Sequence, residues 1–309
     1  MNIFVSGSLA FDRIMTFPGK FSDHILPDKI HILNVCFLVD GMDEKFGGTA
    51  GNIAYNLALL GEKPLILSAV GRDFARYEQR LRKLGLSLEG IRTIENEFTA
   101  GAYITTDKSD NQITGFNPGA MRQPSNFAFD RMHPADAALA VIAPGNVEDM
   151  LGYAARYREL GIPYIFDPGQ QITALSGEQM VAAFTGSKIL ISNDYELELI
   201  MNATSMTKPE IMNRTGALIT TLGENGSVVA NGGGETRIPA ARISRAVDPT
   251  GAGDAYRSGL IKGLSQGRDL VESAKVGATC AAYCVESHGT QDHAFTEEEF
   301  WARHTENFG

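Results

Sequence analysis

Cysteine is scarce in this sequence. Cys36, Cys280 and Cys284 are its three cysteines among 309 residues, and a sparse, odd-numbered set excludes a disulfide framework. Cys280 and Cys284 lie one helical turn apart, but only His288 is near them in sequence, too few ligands for a structural metal centre. Reduced, buried thiols are the expectation. Basic charge is in deficit as well, with 27 Lys and Arg against 37 Asp and Glu and a formal net charge of −10. Such a surface has no global field to attract phosphate polymers or anionic lipid, so neither nucleic acid nor a membrane is expected as a partner. A local site for a phosphorylated small molecule stays open. No apolar run is long enough to cross a bilayer. Residues 1–7 lack the basic stretch of a secretory leader, which makes the cytoplasm the expected location. Repeats, low-complexity tracts and convincing linkers are absent too, so one continuous domain over residues 1–309 is expected.

What is present is an alternation of short apolar runs and helical patterns. Strand-like runs occur at 2–9, 64–70, 138–144, 163–167, 187–192 and 217–222. Several are apolar on both faces, as strands buried in a parallel sheet must be. Helical patterns fall at 50–60, 73–84, 147–160, 195–201, 251–267, 270–287 and 296–307, the last with Thr296 as N-cap and acids in its first turn. This rhythm predicts an α/β fold: a doubly wound, mostly parallel sheet flanked by helices. Two stretches break it. Residues 11–45 hold β-rich runs at 11–17 and 35–40, and residues 99–120 hold a hairpin pattern around Lys108, Ser109, Asp110 and Asn111. Together they predict a small β-sheet lid inserted into the core. An exposed edge of that lid can pair with a second copy, which makes a homodimer an open expectation.

The run Asp248-Pro249-Thr250-Gly251-Ala252-Gly253-Asp254 is the most chemically suggestive segment. Its small residues precede a helical pattern, so free N–H groups and the positive end of the helix dipole make an anion site that a phosphate can approach closely. Asp254 would sit in the first turn, placed to take a proton from an attacking hydroxyl while those N–H groups stabilise a transferring phosphoryl group.

This run closely resembles the C-terminal signature of the ribokinase (PfkB) carbohydrate kinases. Gly47-Gly48-Thr49-Ala50-Gly51-Asn52 resembles their N-terminal signature, and the likeness extends over nearly the whole chain. The resemblance implies a kinase that uses ATP and Mg²⁺ and has a β lid over its substrate. It implies Asp254 as catalytic base and Gly251, Ala252 and Gly253 as the anion hole. Asn193-Asp194-Tyr195-Glu196 matches the family's Asn-x-x-Glu motif, which assigns Asn193 to ATP and Glu196 to Mg²⁺ through water. Thr221, Gly223 and Gly226 match a segment that approaches the nucleotide. Ser8, Asp12, Gly48 and Asn52 fall where family members hold substrate hydroxyls. Asp248 and residues 286–290 fall where many of them bind a monovalent cation such as K⁺.

Local runs narrow the likeness to bacterial adenosine kinases of mycobacterial type: 6–27, 36–40, 116–121 and 167–171. Phe116 and Met121 are then candidates for an apolar purine slot, with Phe37 or Tyr103 beside them, and Gln170 and Gln171 follow a strand end within reach of substrate. The implied reaction is transfer of the ATP γ-phosphoryl group to the 5′-hydroxyl of adenosine, giving AMP in purine salvage. The alternatives are a free sugar such as ribose or fructose, another nucleoside, and a catalytically silent binding homologue.

Overall fold

The strand β1 (Asn2–Ser6) is apolar on both sides, with Ile3 and Val5 facing one way and Phe4 the other, each buried. The computed structural model describes residues 2–109, 111–129 and 137–309. From β1 the chain passes through β2 (Ala10–Thr16), β3 (Gly41–Gly47), α1 (Thr49–Leu59), β4 (Leu65–Gly71), α2 (Ala75–Lys83) and β5 (Ile91–Ile94). It continues as β6 (Ala100–Thr106), β7 (Gln112–Asn117), β8 (Ala137–Ile142), α3 (Val147–Leu160), β9 (Tyr164–Phe166), α4 (Gly177–Phe184), β10 (Ile189–Asn193) and α5 (Asp194–Thr204). Then follow α6 (Lys208–Met212), β11 (Leu218–Thr221), β12 (Ser227–Asn231), β13 (Gly234–Ile238), α7 (Ala252–Ser265), α8 (Leu270–Val285) and α9 (Glu297–Phe308).

The large sheet runs in the order β13-β12-β11-β10-β9-β8-β1-β4-β5. Pairing is parallel from β11 to β5, and β12 and β13 add an antiparallel hairpin at one edge. Alternate residues feed two cores. Val5, Val141, Ile165, Ile191 and Ile219 pack with residues of α1, α2, α7 and α8, while Phe4, Ile142, Phe166, Leu190 and Leu218 pack with residues of α3, α4 and α5. Burial on both faces is why these strands read as continuous apolar runs. α7 and α8 approach closely: a Cβ at Gly259 would lie 2.4 Å from the carbonyl oxygen of Val276. The fold class expected from the sequence is the one observed.

The second sheet has the order β3-β2-β6-β7, with β2 and β6 parallel and both outer pairs antiparallel. β2 follows β1 after only Gly7, Ser8 and Leu9, so the base of this sheet is tied to the centre of the large one. One strand differs from expectation. Residues 35–40 form no strand, and the pairing partner of β2 is Gly41–Gly47. The reason is cross-strand chemistry. Register places Arg13 opposite Glu44, and Arg13 Nε donates to Glu44 Oε2 at 2.9 Å. Phe37 is instead drawn into an aromatic cluster with Phe17 and Phe21, at ring separations of 4.8 and 5.0 Å. Asp110, of the expected hairpin, lies outside the described residues.

Candidate active site

Helix α7 begins without a side-chain cap. Gly251, at its N-cap, has φ +81°, and a Cβ there would lie 2.9 Å from Cγ2 of Thr290. Ala252 N donates to Pro249 O at 3.1 Å, while the N–H groups of Gly251, Gly253 and Asp254 have no acceptor among the described residues, in a turn with little side-chain bulk. Gly251, Ala252, Gly253 and Asp254 are all partly open to solvent. Such a turn can receive an anion.

The carboxylate of Asp254 faces α1, and its Oδ2 accepts a hydrogen bond from Asn52 Nδ2 at 2.8 Å. Asn52 is 5% exposed and is held there by the way α1 starts. Gly48, the N-cap, has φ +86°, and a Cβ there would lie 2.6 Å from both Ser8 O and Ala10 N. Ser8 has a structural part in the same turn: its Oγ accepts from Thr49 N at 3.0 Å. Asp12 projects from β2, and its Oδ2 would lie 2.5 Å from a Cβ at Gly47. Burial pushes its carboxyl above the ordinary value. No described residue hydrogen-bonds to or ion-pairs with that carboxylate.

Three further charges surround Asp254. Arg257, one turn on along α7, is ion-paired with Asp167 just after β9, and the two are 6% and 2% exposed. Glu196, on α5, acts on the same cluster. Burial pushes Asp254 up to about 6; Arg257 and the Asn52 hydrogen bond oppose the shift, and Asp167 and Glu196 add to it. A carboxylate with that affinity for a proton is suited to general-base work near neutral pH. Neither Arg257 nor Asp167 carries a role in the sequence motifs. The Asp that ends the apolar run 163–167 was the available signal, because ligands gather at the carboxyl ends of parallel strands.

Asn193 and Glu196 form a reciprocal capping box at the start of α5. Asn193 Oδ1 accepts from Glu196 N at 2.7 Å, and Glu196 Oε2 accepts from Asn193 N at 2.8 Å. Thr221 ends β11, half-buried, and Gly223 and Gly226 form the turn into β12. A Cβ at Gly226 would lie 2.0 Å from Ile238 O, so that glycine is required by the hairpin itself. Gln171 Nε2 donates to Gly145 O at 2.8 Å, and Gln170 is exposed. Phe116 is 53% exposed on β7, opposite Ala102, and Met121 is half-buried in a short turn beyond that strand. Tyr103 is occupied by Arg13, whose Nη1 donates to its hydroxyl at 3.1 Å and whose guanidinium covers its ring. The carboxylate of Asp248 accepts from Thr250 N and Gly289 N, which brings residue 248 beside the 286–290 segment.

These features converge with comparisons to known proteins. Residues 22–297 match the model of the pfkB family of carbohydrate kinases. The chain belongs to that family. This pfkB chain is 32% identical to a nucleoside kinase of Methanocaldococcus jannaschii, over 84% of its own length and 85% of the other's. It is also 32% identical to a nucleoside kinase of Methanothermobacter thermautotrophicus, over 98% and 95% of the two. Among solved structures, Burkholderia thailandensis nucleoside kinase in complex with inosine superposes with TM-score 0.86 at 37% identity, covering 100% of this chain and 98% of that one. The pfkB protein is thus a phosphotransferase with nucleoside kinases among its relatives. They do not single out the mycobacterial type of adenosine kinase.

Proposed function

We propose that this kinase transfers the γ-phosphoryl group of ATP to the 5′-hydroxyl of a purine nucleoside, with Asp254 as the general base. The observation that carries the reading is the placement of Asp254: its carboxylate is pushed up to about 6 at the uncapped start of α7 and is held by Asn52. Asp254 accepts the hydroxyl proton as the oxygen attacks phosphorus. The N–H groups at Gly251 and Gly253, with that of Ala252 shared with Pro249 O, receive the charge that builds on the phosphoryl oxygens. Asp12, whose carboxylate is unpartnered among the described residues, accepts hydrogen bonds from the ribose hydroxyls, assisted by Asn52 and the open turn at Gly48. Phe116 and Met121 supply apolar surface for the base, and Gln171 a polar group beside it. Ser8 shapes that turn by holding Thr49.

ATP lies toward β10 and β11, near Asn193, Thr221, Gly223 and Gly226. No group of three or more His, Cys, Asp or Glu able to hold a metal ion occurs among the described residues. The Glu196 carboxylate, whose charge acts on the cluster around Asp254, is the protein's contribution to an Mg²⁺ carried mainly by phosphate and water. When bound, Mg²⁺ neutralises charge on the phosphates. Asp248 and residues 286–290 are the candidate K⁺ ligands.

Adenosine and inosine are the first substrates to compare: the local runs resemble adenosine kinases, and a structural neighbour was solved with inosine. The test is turnover with ATP on adenosine, inosine, cytidine, ribose and fructose. Phosphorylation of either purine nucleoside well above both sugars supports the reading. Turnover of ribose or fructose without any nucleoside overturns it.

A further inference from the structure

The amide of Asn52 can be turned end for end at little steric cost, so what chooses its orientation is its hydrogen-bond partners. The orientation matters. With Nδ2 toward Asp254 the amide donates to the carboxylate, whereas with Oδ1 there two acceptors would face each other. A chain of hydrogen bonds from the base of the small sheet makes the choice. It begins at the carbonyl of Gly47, the last residue of β3, which can only accept. Tyr77 OH on α2 donates to it at 2.8 Å. The Tyr77 oxygen then accepts from Gln291 Nε2 at 2.8 Å, and the same nitrogen donates to Asn52 Oδ1 at 3.1 Å. With Oδ1 engaged, Asn52 Nδ2 is left for Asp254, at 2.8 Å. Gln291 is 2% exposed and Tyr77 fully buried, so water does not compete for these partners.

The loop carrying Gln291 is itself fixed. Arg80 Nη2 donates to Gln291 O at 2.9 Å, Thr290 Oγ1 donates to Phe46 O at 3.0 Å, and Lys45 is ion-paired with Asp292 at 2.5 Å. Three successive residues of this loop thus bear on the end of β3, where the small sheet meets the core.

We propose that Gln291 is a positioning residue for Asp254, acting through the amide of Asn52, so that the C-terminal loop and the base of the small sheet set the hydrogen bonding of the catalytic carboxylate. The proposal rests on the reading of Asp254 as the base. The other groups acting on Asp254 or acted on by it are Arg257 on the same helix, Asp167 after β9, Glu196 on α5, Tyr77 on α2 and Cys284 on α8. Replacing Gln291 changes the charge of none of them.

The experiment is a set of steady-state pH profiles on the intact chain carrying Gln291→Met, Gln291→Glu, Tyr77→Phe, Asn52→Leu, the Asn52→Leu/Gln291→Met pair and Asp254→Asn. Gln291→Met lowers kcat by about ten- to a hundredfold, the scale for one hydrogen bond to a charged group, with the KM for ATP unchanged. Its acid limb moves to higher pH. Gln291→Glu moves it further, because a carboxylate there turns Asn52 around, and Tyr77→Phe falls between wild type and Gln291→Met. In the Asn52→Leu background, Gln291→Met has no further effect. The position of the limb does not depend on how much of a variant is folded, so a partly unfolded sample still reads out, and Tyr77→Phe tests the same chain without altering Gln291.

An unmoved limb in Gln291→Met and Tyr77→Phe overturns the proposal, as does full additivity with Asn52→Leu. Persistent turnover in Asp254→Asn removes the base assignment itself. Loss of turnover in Asp254→Asn with wild-type behaviour in the Gln291 variants removes only the positioning role.

Discussion

Arg257 and Asp167 form an ion pair sealed between the start of α7 and the end of β9, with Asp254 one helical turn from the guanidinium. Removing one member of such a pair leaves a buried charge uncompensated. Arg257→Met alone and Asp167→Asn alone are each expected to lower unfolding free energy by about 3–5 kcal/mol. The double variant should cost much less than the sum, because neither member of the pair is left as an unpaired charge. Urea denaturation of the three variants checks this, and simple additivity would show that the pair is not coupled.

The same arginine tunes Asp254 and gives a pH signature. In the proposed role Asp254 works only when ionised, so kcat/KM should rise with pH through about 6 and level off above it. Arg257 opposes the upward shift of Asp254, so in Arg257→Met the limb moves to higher pH. A profile from about pH 5 to about pH 8 measures both. An acid limb at the ordinary carboxylate range would mean that Asp254 is not set by its burial.

Stability carries a separate pH signature at His293. Burial lowers this imidazole from 6.5 to about 4, and its Nε2 meets Asn56 Oδ1 at 2.7 Å. Below about 6.5 the unfolded chain takes up a proton that the folded His293 refuses until about 4. Its contribution is therefore present above 6.5 and declines as pH falls toward 4. The urea midpoint of His293→Leu should depend less on pH in that window than the wild type's. Equal slopes would assign the acid sensitivity to other groups.

Much of the main fold could be read from the chain, because its information is local. The runs around Phe4, Val141, Ile165, Leu190 and Ile219 are apolar on both faces, and only a sheet covered on both sides buries them. The strand expected at 35–40 forms instead at Gly41–Gly47, although the former run is richer in β-forming residues. The cross-strand ion pair that forms there joins Glu44 to Arg13 on another strand, which no local window contains. The site divides in the same way. The glycines before Asp254 and the capping residues Asn193 and Glu196 lie in contiguous runs and could be named from sequence. Arg257, Asp167 and Gln291 act through partners far away in the chain, so their significance appears only when β9, α1 and the C-terminal loop are folded together.

Gly48 gives a prediction about backbone shape. Its φ of +86° disfavours any side chain, and a Cβ would press on Ser8 O and Ala10 N at 2.6 Å. Gly48→Ala should cost about 1–3 kcal/mol for the strained conformation alone, and more if the contact cannot relax. Because α1 starts there, the shift is passed to Asn52, and the nucleoside KM should rise while the KM for ATP changes little. Thermal melting and the two KM values check this, and equal changes in both KM values would place the disturbance elsewhere.

Asp254→Asn brings activity and stability into opposition. Loss of the proposed base should lower kcat by roughly 10²–10⁴ with nucleotide affinity little changed. The stability effect follows from proton binding. Asp254 is raised from 3.8 to about 6, so between those values the folded chain holds a proton that the unfolded chain has released. Its presence therefore costs nothing below about 3.8, and the cost grows until about 6 and stays in full above that. Asparagine is uncharged throughout and can still accept from Asn52. The variant should be more stable than wild type by on the order of 1–3 kcal/mol at about pH 7.5, and the gain should shrink toward zero at about pH 4. Urea denaturation at the two pH values measures the difference. A stability change that is the same at both would show that the ionised carboxylate is not the source of the cost, whereas a gain confined to neutral pH together with lost turnover ties the burial of Asp254 directly to its chemistry.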